Sequence, residues 1–506
     1  MHPMSKTSRL PQIVLLLFAL SAWMTACRPI QSTGSATDPS AAAADSVVRL
    51  TLLHLNDVYE IMPVGGGKLG GLARVTTLRQ RLAAANPNTF VTFAGDLYTP
   101  SGLSSAIVDG SPVDGEQAVA VMNTVGIDYM TFGDHEFHVR HEDEFYARLA
   151  ETRFPILSSN VTAADGEPFP GVAANAIFTA TNPAGNAMRV GIFGVTEPIG
   201  KTPVAISYLD PMEATAAQVE TLRDQVDLLI ALTHFHVTED EALAQAFPEI
   251  DLIVGGDDHE HMAVSSGTES APIYKSDSNA RNVYVLELTY DTATAELKIE
   301  AALEPITDAI ADDPNTQAVA NAWVERIFDA YRAEGIDPAQ EVATTPVDLD
   351  GFATSIRNFP TALTHLVANG MLALAPDADA AFYPSGFLRL DDLIPAGSTV
   401  TQYDLIRMFP NDFTLVPVEM AGADLIGWLD YSRSLAGSGN YLLTSDNLYF
   451  QEATQRWELN GETMDPDKIY QMVAPQDALD PSLAIGEKVG TLRQALLTQL
   501  HLEALR

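Results

Sequence analysis

Short apolar runs alternate along this chain with amphipathic stretches of helical period, and this order restricts the fold more than any other feature. Amphipathic helices are predicted between several of the runs, for example at residues 72–84 and 115–125. Strands that alternate with helices are typical of a largely parallel sheet. The sequence therefore predicts an α/β fold, with strands at residues 48–55, 90–94, 129–132, 156–158, 189–194, 228–232 and 252–254.

A second domain is predicted in the later part of the chain. Residues 283–290 and 296–301 alternate more evenly and are predicted to be antiparallel strands that close the first domain. A helix is predicted at residues 315–334, followed by the breaker sequence Gly335-Ile336-Asp337-Pro338. A length of 506 residues also usually means two or more domains. We expect the second domain to start near Val342.

The charge of the chain argues against one class of partner. Its 67 acidic and 28 basic side chains give a formal net charge of −39. Such a surface repels the phosphates of nucleic acids. We therefore expect no nucleic acid partner.

The N-terminal residues are predicted to direct export. An apolar run at residues 13–24 follows Lys6 and Arg9, and it is too short for an ordinary membrane-spanning helix. Met24-Thr25-Ala26-Cys27, with the only cysteine of the chain, resembles the lipobox of bacterial lipoproteins. A plain signal peptide is the alternative. We predict a signal peptide over 1–27, a flexible tether over 28–46 and an extracytoplasmic, lipid-anchored protein, either periplasmic or on the cell surface.

Acidic and histidine residues follow several predicted strands. The carboxyl ends of such strands gather in one crevice of an open α/β sheet. Carboxylates and imidazoles bind Mn, Mg, Zn and Fe, and two such ions sharing a carboxylate can act on a phosphate ester. His54, which lies within the first run, is predicted to pack beside the site rather than bind metal. The segments that hold these acids and histidines are Asp57-Val58-Tyr59, Gly95-Asp96, Gly133-Asp134-His135-Glu136, Thr233-His234 and Gly255-Gly256-Asp257-Asp258-His259.

These motifs resemble a known family. Residues 48–305 are similar to the calcineurin-like metallophosphoesterase domain of the secreted 5'-nucleotidases, and the later residues are similar to the companion C-terminal domain. The first resemblance depends on Leu53 to Glu60, Gly70-Gly71-Leu72-Ala73-Arg74, Gly95-Asp96, Gly133-Asp134-His135-Glu136-Phe137, Ala231-Leu232-Thr233-His234 and residues 251–259. The second depends on Val347-Asp348-Leu349-Asp350-Gly351, Ile394-Pro395-Ala396-Gly397, Val418-Glu419-Met420-Ala421-Gly422 and residues 465–470.

The resemblance implies an architecture and a set of roles. The fold would be a two-layered sheet sandwich with helices outside, followed by a smaller α+β domain. The boundaries would be 47–308 for the first domain, 309–341 for a linker helix and 342–506 for the second domain. Two divalent ions would be held by Asp57 and His259 on one side and by Asp134, His234 and Asp257 on the other, with Asp96 bridging them. His135 would be the catalytic residue that stabilises charge on the phosphoryl group.

Several positions depart from the family pattern. Tyr59 replaces the histidine of Asp-x-His, Asp134 and Asp257 replace neutral ligands, and His138 replaces the acid that orients the catalytic histidine. Additional carboxylates favour hard ions. A ligand role for Tyr59 stays open, because the phenol must first lose a proton with a pKa of about 10. The alternative is a retained fold with weak or no metal binding.

The second domain carries fewer of the expected substrate contacts. Arg389 matches an arginine of the family motif, Arg357 lies near a second one, and Tyr441 matches one of two aromatic rings that stack on a base. Pro384 and Phe387 depart from that motif. The resemblance implies a monomeric metallophosphoesterase that hydrolyses an extracytoplasmic phosphate ester, a nucleoside 5'-monophosphate by default, with a metal-activated water. The alternative is a non-catalytic surface lipoprotein that binds a ligand or partner.

Overall fold

The computed structural model describes residues 46–265, 267 and 270–504. The predicted signal peptide, Cys27 and all of the predicted tether except Ser46 lie outside these residues. Among the helices that are described, none is both long and apolar enough to cross a membrane.

Two large sheets form the framework of the first half of the chain. One has seven strands, in the spatial order Glu296–Pro305, Asn282–Asp291, Val47–Leu55, Thr89–Phe93, Tyr129–Thr131, Ile156–Leu157 and Val172–Ala173. The other has six strands, in the order Met262–Val264, Ile273–Lys275, Leu252–Gly255, Leu228–His234, Ala187–Thr196 and Asn175–Thr181. Pairing is parallel among Val47–Leu55, Thr89–Phe93 and Tyr129–Thr131, and again among Ala187–Thr196, Leu228–His234 and Leu252–Gly255.

The two sheets pack face to face because each central strand is apolar on both sides. Leu50 and Leu52 point into a core shared with Ile230 and Leu232 of the second sheet. Leu53, which alternates with them, points to the opposite face and into a second core. This is the two-residue period of a strand. The predicted α/β sandwich is therefore confirmed.

Helices cover the outer faces of the sandwich. Those on the seven-stranded sheet are Leu72–Ala85, Glu116–Val125, Glu142–Glu151 and Pro314–Ala333, and those on the six-stranded sheet are Pro211–Leu222 and Val237–Ala246. Asp210 and Asp313 cap their helices, and proline at the first helical position favours the same start. Helix Pro314–Ala333, predicted as a linker, contributes Ala320 and Ile327 to the core of the first half.

The second half is a smaller α+β unit, as predicted. Its five-stranded sheet has the order Leu442–Thr444, Ala380–Pro384, Ile469–Pro475, Thr414–Ala421 and Gly490–Thr491. Helices Ala362–Leu374 and Leu492–Ala504 pack on one face and Gly422–Ser434 on the other. Shorter helices are Ala353–Ile356 and Gln402–Met408. Short strands of this half pair as Glu341–Thr344 with Thr399–Thr401, Leu349–Asp350 with Leu393–Ile394, and Leu448–Gln451, Arg456–Leu459 and Glu462–Thr463 together. Short strands of the first half pair as Ile107–Val108 with Ser111–Pro112 and Val161–Ala163 with Ile206–Tyr208.

A buried lysine fixes the loop that follows strand Leu252–Gly255. Lys275 is fully buried, and its Nζ lies 2.8 Å from Asp240 Oδ2 and 2.6 Å from Asp258 Oδ2. It also donates to the carbonyl oxygen of Gly256 at 2.9 Å. The single ammonium thus ties a helix, a strand and this loop together.

We predict that Lys275→Met destabilises the protein strongly, because Asp240 and Asp258 would stay buried without their cation. Removing one partner of a buried pair costs about 3–5 kcal/mol. The measurement is denaturant unfolding. Lys298→Met is the matched control, since Lys298 and its partner Glu300 are both exposed and such pairs contribute little. Equal stability of the two variants would contradict the prediction.

Candidate metal centre

Loops from both sheets converge at the carboxyl ends of their parallel strands. Asp57 follows strand Val47–Leu55, Asp96 follows Thr89–Phe93, and Asp134 follows Tyr129–Thr131. His234 ends a strand of the second sheet, and Asp257 and His259 follow the next one. This is the edge where open α/β sheets place their sites.

Four of the candidate ligands have a left-handed backbone. The φ angles are 52° for Asp57, 65° for Asp96, 77° for Asp257 and 56° for His259. Residues other than glycine adopt this conformation at a cost of about 1–2 kcal/mol each. Such strain is typical of functional sites, where the surrounding structure holds it in place.

Three of the predicted ligands form a buried cluster. Ligand atoms of Asp57, Asp96 and His234 all lie within 4.8 Å of one another. Asp57 Oδ1 and His234 Nε2 are buried and have no hydrogen-bond partner among the described residues. Buried polar atoms of this kind are rare and need an explanation. A cation between them would satisfy both atoms, so these residues fit a metal ion.

His234 and His259 both direct their Nε2 atom toward the cluster. His234 Nδ1 lies 2.5 Å from the carbonyl oxygen of Ala94, which can only accept, so Nδ1 carries a proton. Its Nε2 then faces Asp96 Oδ1 at 3.5 Å and Asp134 Oδ1 at 3.9 Å. His259 Nε2 similarly faces Asp57 Oδ1 at 3.4 Å. A hydrogen-bonded Nδ1–H with Nε2 free is the usual state of a metal-binding histidine.

Crowded acids dominate the electrostatics of the cluster. Burial raises the pKa of Asp96 well above its usual value, and the charges of Asp134, Asp57 and Glu136 raise it further. Burial alone would lower the pKa of His234, but the surrounding carboxylates outweigh it and raise that pKa well above the usual value. Without metal, a proton on His234 therefore offsets part of the negative charge.

Glu136 holds two ligand loops together. Its carboxylate accepts from the backbone amides of Asp96 at 3.0 Å, Leu97 at 2.6 Å and Gly133 at 2.6 Å. The side chain is fully buried. Glu136 belongs to one of the sequence motifs, but its role could not be predicted, because only the tertiary structure shows which amides it reaches.

Tyr59 is a neutral hydrogen-bond donor in this structure. Its hydroxyl lies 2.5 Å from Asp96 Oδ2 and 3.2 Å from His259 Nε2. Burial and the charges of Asp96 and Asp57 raise the pKa of Tyr59 well above 10.0. The phenol therefore keeps its proton, and it stands between two candidate ligands.

His135 lies beside the cluster and is neutral. Its Nε2 is 2.6 Å from Arg389 Nη2, and because a guanidinium only donates, Nε2 accepts. Burial lowers the pKa of His135 well below its usual value, and the charge of Arg389 lowers it further. The proton is therefore on Nδ1, which is 3.2 Å from His138 Nδ1. His138 thus stands where the sequence pattern expects an acid.

The remaining predicted residues differ in where they lie relative to the cluster. Asp257 meets the cluster through its backbone amide, which donates to Asp57 Oδ2 at 3.0 Å, and its side chain lines a cavity of about 260 Å³ together with Arg357. Arg357 and Arg389 also line a crevice of about 10 Å³ beside Tyr59, which is roughly the space of one water. Tyr441 instead packs against the core of the second half, so its stacking role stays a prediction.

Other histidines near the cluster have protein partners. His54 uses both ring nitrogens, with Thr92 Oγ1 at 3.0 Å and the carbonyl oxygen of Gly255 at 2.9 Å, and burial lowers its pKa to about 4. This agrees with its prediction as a packed residue. His236 lies 3.3 Å from Asp258 and His261 lies 3.0 Å from Asp277.

Glu197 is an acid at the site that sequence analysis missed. It follows strand Ala187–Thr196, and its amide donates to the carbonyl oxygen of His234 at 2.9 Å. Burial and the charge of Asp257 raise the pKa of Glu197 to about 8. A similar signal was present here, since Glu197 comes three residues after the strand predicted at 189–194.

Two family models match the chain. The model of the calcineurin-like phosphoesterase matches residues 50–261, and that of the 5'-nucleotidase C-terminal domain matches residues 341–476. The chain belongs to the 5'-nucleotidase family of calcineurin-like phosphoesterases. The resemblance that the sequence motifs indicated is thus confirmed.

Individual members of this family resemble the chain at low identity. The 5'-nucleotidase of Bos taurus is 27% identical over 363 residues, which are 64% of this chain and 59% of that protein. The 5'-nucleotidase of Diplobatis ommata is 24% identical over 463 residues, or 82% of this chain and 77% of that protein. The crystal structure of a 5'-nucleotidase precursor from Thermus thermophilus shares the fold, with a TM-score of 0.72 and 22% identity over 90% of this chain and 97% of that one.

We predict that Tyr59→Phe strengthens metal binding. The hydroxyl that now contacts Asp96 and His259 would be gone, so both ligand atoms would be free without loss of the packed ring. Titration of metal-free protein with Mn²⁺ should show tighter binding than wild type. Tyr98→Phe is a matched control, since Tyr98 is also buried and lies outside the ligand cluster. Weaker binding by Tyr59→Phe would instead identify the hydroxyl as a ligand.

We predict that Glu197→Gln changes how the stability of the metal-free protein depends on pH. The folded protein keeps the proton up to a pKa of about 8, whereas the unfolded chain releases it above about 4.5. The resulting stability is present below pH 4.5 and is lost as pH rises through 8. Relative to wild type, the variant should therefore gain stability between about pH 5 and about pH 9. Denaturant unfolding in EDTA measures this, and a difference that does not change with pH would refute it.

Proposed function

We propose that this protein is a metal-dependent phosphoesterase that hydrolyses an extracytoplasmic phosphate ester, by default a nucleoside 5'-monophosphate. One observation carries the proposal: a buried cluster around Asp96 leaves Asp57 Oδ1 and His234 Nε2 without partners among the described residues. Family membership supports ester hydrolysis as the chemistry, and the relatives named 5'-nucleotidase support a nucleotide substrate.

Two divalent ions, from among Mn, Mg, Zn and Fe, would occupy the cluster. We assign Asp57 and His259 to one ion, Asp134, His234 and Asp257 to the other, and Asp96 to both. When bound, such ions stabilise charge on phosphoryl oxygens and lower the pKa of a water nucleophile. The extra carboxylates of Asp134 and Asp257 favour the harder ions.

The surrounding residues would bind and orient the phosphate group. Arg389 is always charged, and its contact with His135 places a cation and an imidazole at one point beside the cluster. Arg357 lines the same crevice and supplies a second guanidinium. Together, these groups would offset the charge that builds up on the phosphoryl oxygens, with His135 as the catalytic residue. Tyr441 would stack on the base.

The remaining assignments follow from the sequence. We propose domain boundaries of 47–308, 309–341 and 342–506, and an export signal over 1–27. Acylation of Cys27 would anchor the protein to a membrane through the tether at 28–46, on the periplasmic side or at the cell surface. We further propose that the protein is a monomer with no nucleic acid partner.

A non-catalytic ligand-binding lipoprotein is the second candidate. Two contacts favour it. The Tyr59 hydroxyl occupies the space between Asp96 and His259, and Arg389 occupies the Nε2 atom of the proposed catalytic histidine, His135. Metal and substrate must displace these contacts.

The two candidates differ in metal content and turnover. We predict that purified protein holds divalent metal and releases phosphate from nucleoside 5'-monophosphates, tested with Mn, Mg, Zn and Fe. Asp96→Asn should reduce turnover by at least about 10³-fold, since the two ions would lose their shared carboxylate. The control is Asp251→Asn, because Asp251 accepts from the Leu229 amide at the far end of strand Leu252–Gly255. Wild type with neither metal nor turnover would favour the binding protein, and turnover that survives in Asp96→Asn would overturn the assignment.

A further inference from the structure

A residue from the second half of the chain contacts a candidate ligand in the first half. Asp391 lies within the region matched by the C-terminal family model, whereas His259 lies within the phosphoesterase region. Asp391 Oδ2 is 3.1 Å from His259 Nδ1, across 132 residues of sequence. Asp391 is only 6% exposed. The metal centre therefore has a neighbour that the phosphoesterase region does not itself supply.

This contact determines which ring nitrogen of His259 carries the proton. A carboxylate can only accept a hydrogen bond, so Nδ1 of the imidazole carries the proton. In the neutral ring, the lone pair is then on Nε2, which faces Asp57 Oδ1 at 3.4 Å. Asp57 Oδ1 has no hydrogen-bond partner among the described residues. A carboxylate behind a histidine orients the ring and makes it a stronger metal ligand.

Asp391 is itself held in place from both halves of the chain. Its Oδ1 accepts from the amide of Ala353 at 3.0 Å, and its Oδ2 accepts from the hydroxyl of Ser278. Its φ of 41° is left-handed, a conformation that costs free energy for aspartate. Arg281 fixes the other side of the contact, because it donates to the carbonyl oxygen of His259 at 3.1 Å. Both partners are therefore fixed before any ligand binds.

We propose that Asp391 is a positioning residue for the metal centre, supplied by the second half of the chain. It fixes the proton of His259 on Nδ1 and holds Nε2 toward Asp57. The affinity of the centre for metal then depends on one carboxylate that the second half supplies. This inference rests on the proposed function in one respect, namely that His259 holds a metal ion.

The next residue in the sequence provides a matched control. Asp392 is also buried and also crosses between the halves, since it accepts from the amide of Gly65 at 3.0 Å and lies 3.2 Å from Arg407 Nη2. The structure places its carboxylate on Gly65 and Arg407 rather than on His259. Loss of Asp392 weakens the contact between the halves without removing the partner of the imidazole.

The experiment measures Mn²⁺ affinity of the full chain by competition with a chelator. Asp391→Ala should weaken one class of binding by about 10–100-fold, the usual effect of removing a carboxylate behind a metal-binding histidine. Asp391→Asn keeps the size of the side chain and one acceptor oxygen, so it should weaken binding less. Asp392→Asn should bind like wild type. Thermal unfolding of each metal-free variant shows that it is folded.

A second pair of variants tests whether Asp391 acts on metal affinity through His259. In a His259→Ala background, Asp391→Ala should cause no further loss of affinity, because its partner is already gone. Wild-type affinity in Asp391→Ala, an equal loss in Asp392→Asn, or an additive loss in the double variant would each overturn the inference while leaving the proposed function intact. Wild-type protein that binds no divalent ion would overturn both.

Discussion

Several carboxylates share one buried space around Asp96, and the rest of the site depends on how their repulsion is balanced. Burying like charges is costly unless they are paired or coordinate a metal. Two backbone amides help, since those of His135 and Asp257 donate to Asp96 Oδ1 and Asp57 Oδ2 at 3.1 and 3.0 Å. His234 contributes a proton, and yet Asp57 Oδ1 stays unsatisfied within the part of the chain that the structure describes. The remaining negative charge lies where a bound cation would neutralise it.

The same cluster is continuous with the contact between the two halves of the chain. Tyr59 reaches Asp96, and the neighbouring Glu60 pairs with Arg407 of the second half at 3.1 Å. Arg389 reaches His135, and Asp391 reaches His259. These contacts are polar and largely buried, so each needs its partner. Arg389 and Asp391 therefore link the second half directly to residues of the candidate site.

Much of the fold could be predicted because burial leaves a periodic signal in the sequence. The strand predicted at 228–232 extends to His234 in the structure, since the last two residues are polar and yet fully buried beside the acids. The strand predicted at 296–301 continues to Pro305, because this edge strand is exposed and its pattern is weak. Glu197 was missed although it also follows a strand, and Tyr441 carries an expected motif position but packs against a core.

The sequence by itself determined the order of strands and helices, the family, and which acids and histidines follow the strands. Those properties depend on local period and on motifs, which a single chain displays directly. Only the tertiary structure decided that Tyr59 donates to Asp96, that Glu136 binds three amides, and that Asp391 lies behind His259. Hydrophobic period specifies which face of an element is buried, but not which distant side chain will meet it. Partners separated by more than a hundred residues are selected by packing, and packing exists only in the folded chain.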